Sequence, residues 1–526
     1  MSRAYRRLRE QPLLYAGGIV IGLACFMPLA WLVIAGIREA DQAIAPVLAA
    51  SSTLPIALRS LGLAVGVAAL AVAISLPLAW LTHATNLPGR AAFRWLVVLP
   101  LAIPSYISGF VVVALLGPSG SLRGLASSLG IGLPDVYGTF GVVIALLFMF
   151  PLALLPLQAA LEDLDASQWE AARGLGLSPW LAFRRVIWPQ LRMPAANGGL
   201  LVALYVLSDF GAVSLLRYPT LSYVIYLRYE NPFGRSESIG YALLLMLLVG
   251  ILFGLHRWLA GRSSIPSRAS TRRPWPSIPL GPWRWPAALV AGSVVGLGVL
   301  LPIASTLGWW LRGVAAGAPT FPVAKEAVWT LGLGLAAALI ITSLAILPGL
   351  LTRAGSRRVS QLLRVASHSG YALPGIVVAL ALVFFATRVA LPLYQTLPML
   401  LIAYGVRFLP LAIQNVDAGL ERQSRRLDDA ARSLGRTQWR VWLEVTLPAA
   451  APAIFAAGLT VFVSTIKELP ATLLLAPLNT NTLATRIWGW TSEAYFTAAA
   501  APALILVVLA FALLVVRPDR RRRTSP

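Results

Sequence analysis

Apolar residues gather into twelve runs along the chain, at about 13–37, 57–81, 95–117, 138–160, 195–215 and 239–260, then 286–311, 327–351, 369–388, 396–416, 450–475 and 497–516. Runs of roughly 20 residues are the length a helix needs to cross about 30 Å of hydrocarbon. Lone strands are excluded, because their backbone groups would go unpaired in lipid. The pattern therefore predicts an all-α polytopic membrane protein with about twelve transmembrane helices. The polar stretches between runs alternate in character. Arginines cluster at Arg3–Arg9, around Arg90–Arg94, at Arg262–Arg273, at Arg353–Arg364 and at Arg517–Arg523, whereas 38–56, 118–137 and 389–397 carry few. Cytoplasmic loops hold the excess of basic residues, so the even span count and basic ends predict that both termini are cytoplasmic. The first run, Leu13 to Ile37, follows a basic stretch as a signal peptide would. It is too long for a cleaved apolar core and reads as a retained helix.

The chain repeats itself. Ser60-Leu61-Gly62 answers Thr330-Leu331-Gly332, and Ala102-Ile103-Pro104 answers Ala372-Leu373-Pro374, at an offset of 270. Beyond the third run the offset falls to 259, pairing Pro151 with Pro410, Leu161 with Leu420 and Asp209 with Glu468. The longer loop Gly117–Tyr137 accounts for the change. Six spans per half is an even number, so the halves run in the same direction as parallel repeats. The expected division is 1–260 for the first repeat, 261–285 for a basic linker rich in Pro and Ser, and 286–526 for the second. Trp275, Trp283 and Trp285 at the end of the linker read as interface anchors for the next span.

Composition supports this and removes other classes. Of 526 residues, 58% are hydrophobic and 12% charged, against about 25% charged in an ordinary soluble domain. The net charge of +23 would suit nucleic acid, but its loop-by-loop distribution is that of membrane topology. A single cysteine, Cys25, and three scattered histidines, His83, His256 and His368, give no metal cluster or disulfide framework. The two lysines, Lys325 and Lys467, lie outside any phosphate-binding glycine loop. No cofactor or nucleotide is expected on this chain, and no catalytic cluster marks it as an enzyme.

The most informative repeat is polar. Glu170-Ala171-Ala172-Arg173-Gly174-Leu175-Gly176 closes with Trp188-Pro189, and Asp429-Ala430-Ala431-Arg432-Ser433-Leu434-Gly435 closes with Leu447-Pro448. These islands, at 162–194 and 421–452, read as a helix, a glycine turn and a second short helix. Gly176 is a left-handed stop, Ser178 an N-cap before Pro179 at N1, and Thr437 the matching cap. Trp180, Phe183 and Ile187 share one helical face, with Trp439 and Trp442 matching the first two. Pro189 and Pro448 are expected to stop the short helix. A charged loop written twice in register predicts two equivalent docking surfaces for something outside the lipid.

This pattern resembles the EAA loop of bacterial ABC importer permeases, and two fused six-span repeats resemble the ferric-iron permeases of that class. Lys467-Glu468-Leu469-Pro470-Ala471-Thr472-Leu473-Leu474-Leu475 and Asn481-Thr482-Leu483-Ala484-Thr485-Arg486 are similar to the last third of ferric-iron importers. Fused permeases for thiamine or phosphonates share the architecture. The resemblance implies a MetI-like helical fold, a place in the bacterial inner membrane and a loop that couples to an ATPase. The coupling residues would be Glu170, Ala171, Ala172, Gly176, Trp180, Phe183 and Pro189, with Asp429, Ala430, Ala431, Gly435, Trp439, Trp442 and Pro448. It implies as partners two copies of an ABC ATPase subunit, which would carry ATP and Mg2+, and a periplasmic or lipid-anchored solute-binding protein. Lipid surrounds the chain and no nucleic acid is implied.

Acids inside apolar runs mark function by default, because burying them in hydrocarbon costs several kcal/mol. Asp209 and Glu468 occupy equivalent points, each followed by a helix breaker, Gly211 and Pro470. Local breaks there would free carbonyls to line a cavity, which makes these four residues candidates for the translocation path. The structural alternative is that Asp209 caps a broken helix and Glu468 pairs with Lys467. The competing functional class is an ion-gradient-driven carrier, which would not need a doubled cytoplasmic loop.

Overall fold

The computed structural model describes residues 27–118, 120–260, 275, 277–318, 322–354 and 374–515. Cys25, His368, the basic tail and most of the linker lie outside the described residues. Those described are helical, and the one extended pairing among them is an isolated bridge between Thr85 and Ile278. Among the described residues nine helices are long and apolar enough to cross a membrane, and the shorter apolar helices Met27–Arg38, Gly375–Val389 and Phe496–Ala512 join them. Each of the twelve apolar runs thus has its helix. The fifth and eleventh end early, at Ser208 and Ile466, directly before the in-span acids.

The chain forms two compact units. One comprises 44–320 and 490–507; the other comprises 1–43, 321–489 and 508–526. The core of the first packs Thr53–Ala84, Pro151–Glu162 and Trp188–Ser208 against one another. A side chain on Gly198 would fall 2.7 Å from the Ala153 Cα, so two backbones meet there without intervening atoms, as small residues permit inside membranes. The core of the second packs Ala324–Ala354, Leu397–Glu421 and Leu447–Ile466, the same three elements under the repeat offsets. Leu54, Leu58, Leu335 and Leu339 are exposed on the long helices, the apolar outer surface that a lipid-facing helix needs.

These units cut across the sequence repeats. The helix Met27–Arg38 belongs with the second repeat, where Trp31 meets Phe385 edge-on at 5.7 Å. Glu39 takes both Arg388 nitrogens there, at 2.5 and 2.9 Å. The second repeat's opening stretch, Gly281–Ala315, belongs with the first. Its Gly298 packs where a Cβ would lie 2.7 Å from Pro100, and Trp309 lies 5.4 Å from Phe496.

Each unit pins a short helix beyond its broken span to its long helix. In the second, Thr330 Oγ1 accepts from the Leu483 amide at 2.8 Å. Glu326 Oε1 accepts from Arg486 Nε and Nη2 at 2.9 and 2.5 Å. In the first, Ser60 Oγ accepts from the Leu221 amide at 2.9 Å, and buried Ile56 and Val224 stand where Glu326 and Arg486 would be. Breaking a buried ion pair by removing one partner costs about 3–5 kcal/mol, while replacing both with apolar residues is often neutral or stabilising. Arg486→Ala is therefore expected to lower stability by about 3 kcal/mol, the low end because the guanidinium is partly exposed. Glu326→Ile with Arg486→Val, which copies the first repeat, is expected to restore it. Thermal unfolding of the three purified variants checks this order.

Candidate functional site

The two polar islands fold alike. In the first, Asp165 caps the helix Ala166–Gly174 by accepting from the Ser167 amide at 3.0 Å. Gly176 then turns at φ +81°, a conformation that costs an L-residue roughly 1–2 kcal/mol and glycine little. Ser178 caps the next turn through the Leu181 amide at 3.3 Å, with Pro179 at N1. In the second, Ser424 caps Arg425–Ser433 and Gly435 turns at φ +80°. The short helix Gln438–Val441 follows. Thr437 holds the expected N-cap position but makes no side-chain cap bond. Its extended backbone starts the helix while its hydroxyl leaves the first amides alone.

Two expectations need correction. Pro189 and Pro448 do not stop the short helices. Each lies just inside the long helix that follows, after a five-residue π turn, Phe183–Ile187 or Trp442–Thr446. The amide before each proline bonds five residues back, Trp188 to Phe183 and Leu447 to Trp442. Proline breaks a regular helix because it lacks an N–H and its ring strikes the carbonyl four back. A wider turn just ahead of the ring relieves that clash, so Pro179–Ser208 and Gln438–Ile466 run as helical rods of 30 and 29 residues, roughly 45 Å long. The π turn also divides the expected apolar face. Trp180 is 70% exposed while Ile187 is fully buried. Phe183 lies between, its ring stacked on Trp180 at 5.9 Å.

What each loop offers its surroundings is the same pair of side chains. Leu175 and Leu434 are 83% and 82% exposed, and Trp180 and Trp439 are 70% and 59% exposed. Glu170, Ala171, Asp429 and Ala430 are also exposed, Ala431 half so, and Ala172 is buried. Asp429 pairs with Arg432 one turn along. Trp442 is 2% exposed and supports its loop from within. An exposed tryptophan beside a fixed glycine turn is the kind of anchor that dominates protein interfaces, and the exposed leucine adds apolar area beside it.

The rods lead to the in-span acids. After Ser208 the helix breaks, and Asp209 Oδ2 accepts from the Ala212 and Val213 amides at 3.0 and 3.4 Å, capping Gly211–Leu215. After Ile466, Glu468 Oε1 accepts from the Ala471 amide at 3.1 Å, capping Pro470–Leu475. Both acids are buried, 5% and 4% exposed, and both breaks follow the sequence expectation. Glu468 forms an ion pair with Arg407, from the helix Leu397–Glu421. Tyr404 and Thr472 share a hydrogen bond of 2.7 Å beside it, and Thr472 donates to the Glu468 carbonyl at 3.0 Å. Arg407 was legible as a cation inside an apolar run; a search confined to acids passes over it.

The family described as "Binding-protein-dependent transport system inner membrane component" matches residues 75–265 and again 341–524. The chain belongs to that family. It is a transport permease of the ABC class, an all-helical inner-membrane protein in which two MetI-like repeats are fused, and not a catalytic subunit. Among similar proteins is the Fe(3+)-transport system permease protein FbpB 2 of Haemophilus influenzae, 33% identical over 432 residues, 80% of this chain and 81% of that one. The thiamine transport system permease protein ThiP of Brucella abortus is 29% identical over 300 residues, 54% and 53% of the two chains. The sulfate transport system permease protein CysW of Synechocystis is 30% identical over 192 residues, 35% of this chain and 68% of that one. Membership in a binding-protein-dependent family displaces the ion-gradient carrier as a reading of this permease.

Proposed function

We propose that this permease forms the pathway of a ferric-iron importer and takes its energy from two separate ATPase subunits, one on each loop. The observation that carries the docking assignment is the pair of exposed side chains, Leu175 with Trp180 and Leu434 with Trp439, offered at equivalent positions of the two repeats. The loops and both termini would then be cytoplasmic, in line with the arginine distribution. ATP and Mg2+ would stay on the partners, and a solute-binding protein would deliver cargo to the other side. Each rod would carry displacement from a docked ATPase to a helix break. Asp209, Gly211, Glu468 and Pro470 would flank the path. Both carboxylates are engaged in capping inside their own units, so they would shape the opening by holding the breaks rather than by ligating cargo.

Ferric iron is favoured over thiamine because the iron-transport relative is similar over four-fifths of both chains, whereas the thiamine relative is similar over about half. The test is reconstitution. ATP-driven uptake of labelled ferric iron from its binding protein is expected, and Trp180→Ala with Trp439→Ala should reduce ATPase retention at least ~10-fold, since such anchors each contribute upwards of about 2 kcal/mol. Uptake of thiamine but not iron would reassign the cargo. Full retention of the ATPase by the double variant would remove the docking assignment.

A further inference from the structure

The end of the linker is fastened to the first coupling loop. Trp283 and Trp285 are exposed, whereas Trp275 is half-buried. Its ring lies 5.9 Å from Trp80 and 5.7 Å from Trp169, and Trp80 in turn lies 5.0 Å from Phe183. Trp80 sits near the end of Thr53–Ala84, Trp169 immediately precedes Glu170, and Phe183 opens the π turn. Four rings from four parts of the chain thus close one box behind the docking surface. Three residues on, the backbone is tied down as well. Ile278 donates to the Ala84 carbonyl at 2.8 Å and accepts from the Asn86 amide at 3.1 Å, and the Leu280 amide donates to Asn86 Oδ1 at 2.9 Å.

The second loop is closed differently. Under the repeat offsets Leu350 stands for Trp80, Asp428 for Trp169 and Thr446 for Ile187. Buried Asp428 Oδ1 accepts from Thr446 Oγ1 at 3.2 Å. Offset aromatic pairs at these separations hold one another beyond the effect of area alone, whereas at the second loop the matching positions meet through a hydroxyl and a carboxylate.

We propose that the described end of the linker, Trp275 with 277–280, is a working strap of the first coupling loop, with Trp275 as a positioning residue, so that the two ATPase-docking surfaces are held by different means. This rests on the ATPase-docking reading for its consequence, though not for the strap itself. The indole N–H of Trp275 is buried without an acceptor among the described residues, and the contacts its side chain makes there are ring on ring. Phenylalanine should therefore replace it, and alanine should not.

The experiment uses the full chain. Amide hydrogen exchange on the purified permease is expected to show segment 166–187 exchanging about 10-fold faster in Trp275→Ala than in the parent, with 425–446 unchanged, and Trp275→Phe behaving as the parent. The scale is that of losing an aromatic pair or two. With the ATPase added, Trp275→Ala should transport fewer solutes per ATP hydrolysed, and Trp275→Phe should restore the ratio. Unchanged exchange in the first loop, or equal acceleration in both, overturns the strap. Normal coupling in an alanine variant whose first loop exchanges faster overturns the strap's role in coupling. Failure of the parent chain to retain any ATPase removes the docking reading instead, and leaves the exchange result standing on its own.

Discussion

Arg407→Ala is expected to destabilise the second repeat by about 3–5 kcal/mol, the cost of leaving a buried carboxylate without its counter-charge. Glu468 is 4% exposed and already spends one oxygen on the Ala471 amide, so water cannot readily replace the guanidinium. Adding Glu468→Gln to Arg407→Ala should recover most of the loss. The amide oxygen can still cap the Pro470–Leu475 helix, and no charge is left to bury. Gly375→Ala is expected to act in the same direction as Arg407→Ala. A Cβ there would collide with the guanidinium and come within 3.2 Å of Glu468 Oε1, forcing the pair apart. Thermal unfolding of the single and double variants forms a cycle, and additivity of Arg407→Ala and Glu468→Gln would show that the pair is not coupled. In the first repeat Phe148 occupies the place of Arg407, so Phe148→Ala there leaves no carboxylate without its counter-charge.

Gly176→Val combined with Gly435→Val is expected to leave the membrane core intact while lowering ATP-driven uptake by ~10-fold or more. Nothing lies within 4 Å of a Cβ at either position, so the effect is conformational and not a collision. Valine resists φ near +80° by about 1–3 kcal/mol. The loop then escapes the strain by swinging, which carries Leu175 and Trp180, or Leu434 and Trp439, off their shared register. Asparagine tolerates the left-handed region far better, so Gly176→Asn with Gly435→Asn should keep most of the uptake. Equal uptake by the valine and asparagine variants would detach transport from the glycine turns. Melting temperatures near that of the parent in both would confirm that folding is not the quantity being measured.

Much of this molecule was legible in the chain because the relevant signals are local. Span length marks the long apolar helices, glycine marks the left-handed turn of each loop, and Ser178 followed by Pro179 marks a cap. An acid followed by glycine or proline marks each break. What escaped depends on partners far apart in sequence. Glu326 finds Arg486 and Arg407 finds Glu468 only after folding, and a linker tryptophan finds Trp80 and Trp169 by the same route. The π turns escaped for another reason. A proline after an apolar helix ordinarily reads as a stop, and only the backbone shows the extra residue that lets the rod continue. Thr437 shows the reverse limit, since a good capping residue in the right place leaves its hydroxyl unused.

The placement of the opening helix has a consequence for how such a chain can diverge. Because residues 27–38 are already embraced by the second repeat, through Trp31 on Phe385 and Glu39 on Arg388, adhesion between the halves does not depend on the peptide that joins them. What covalent joining secures is stoichiometry. Two self-pairing copies of one half are no longer an alternative product, and each half is free to accumulate changes that its twin never has to match.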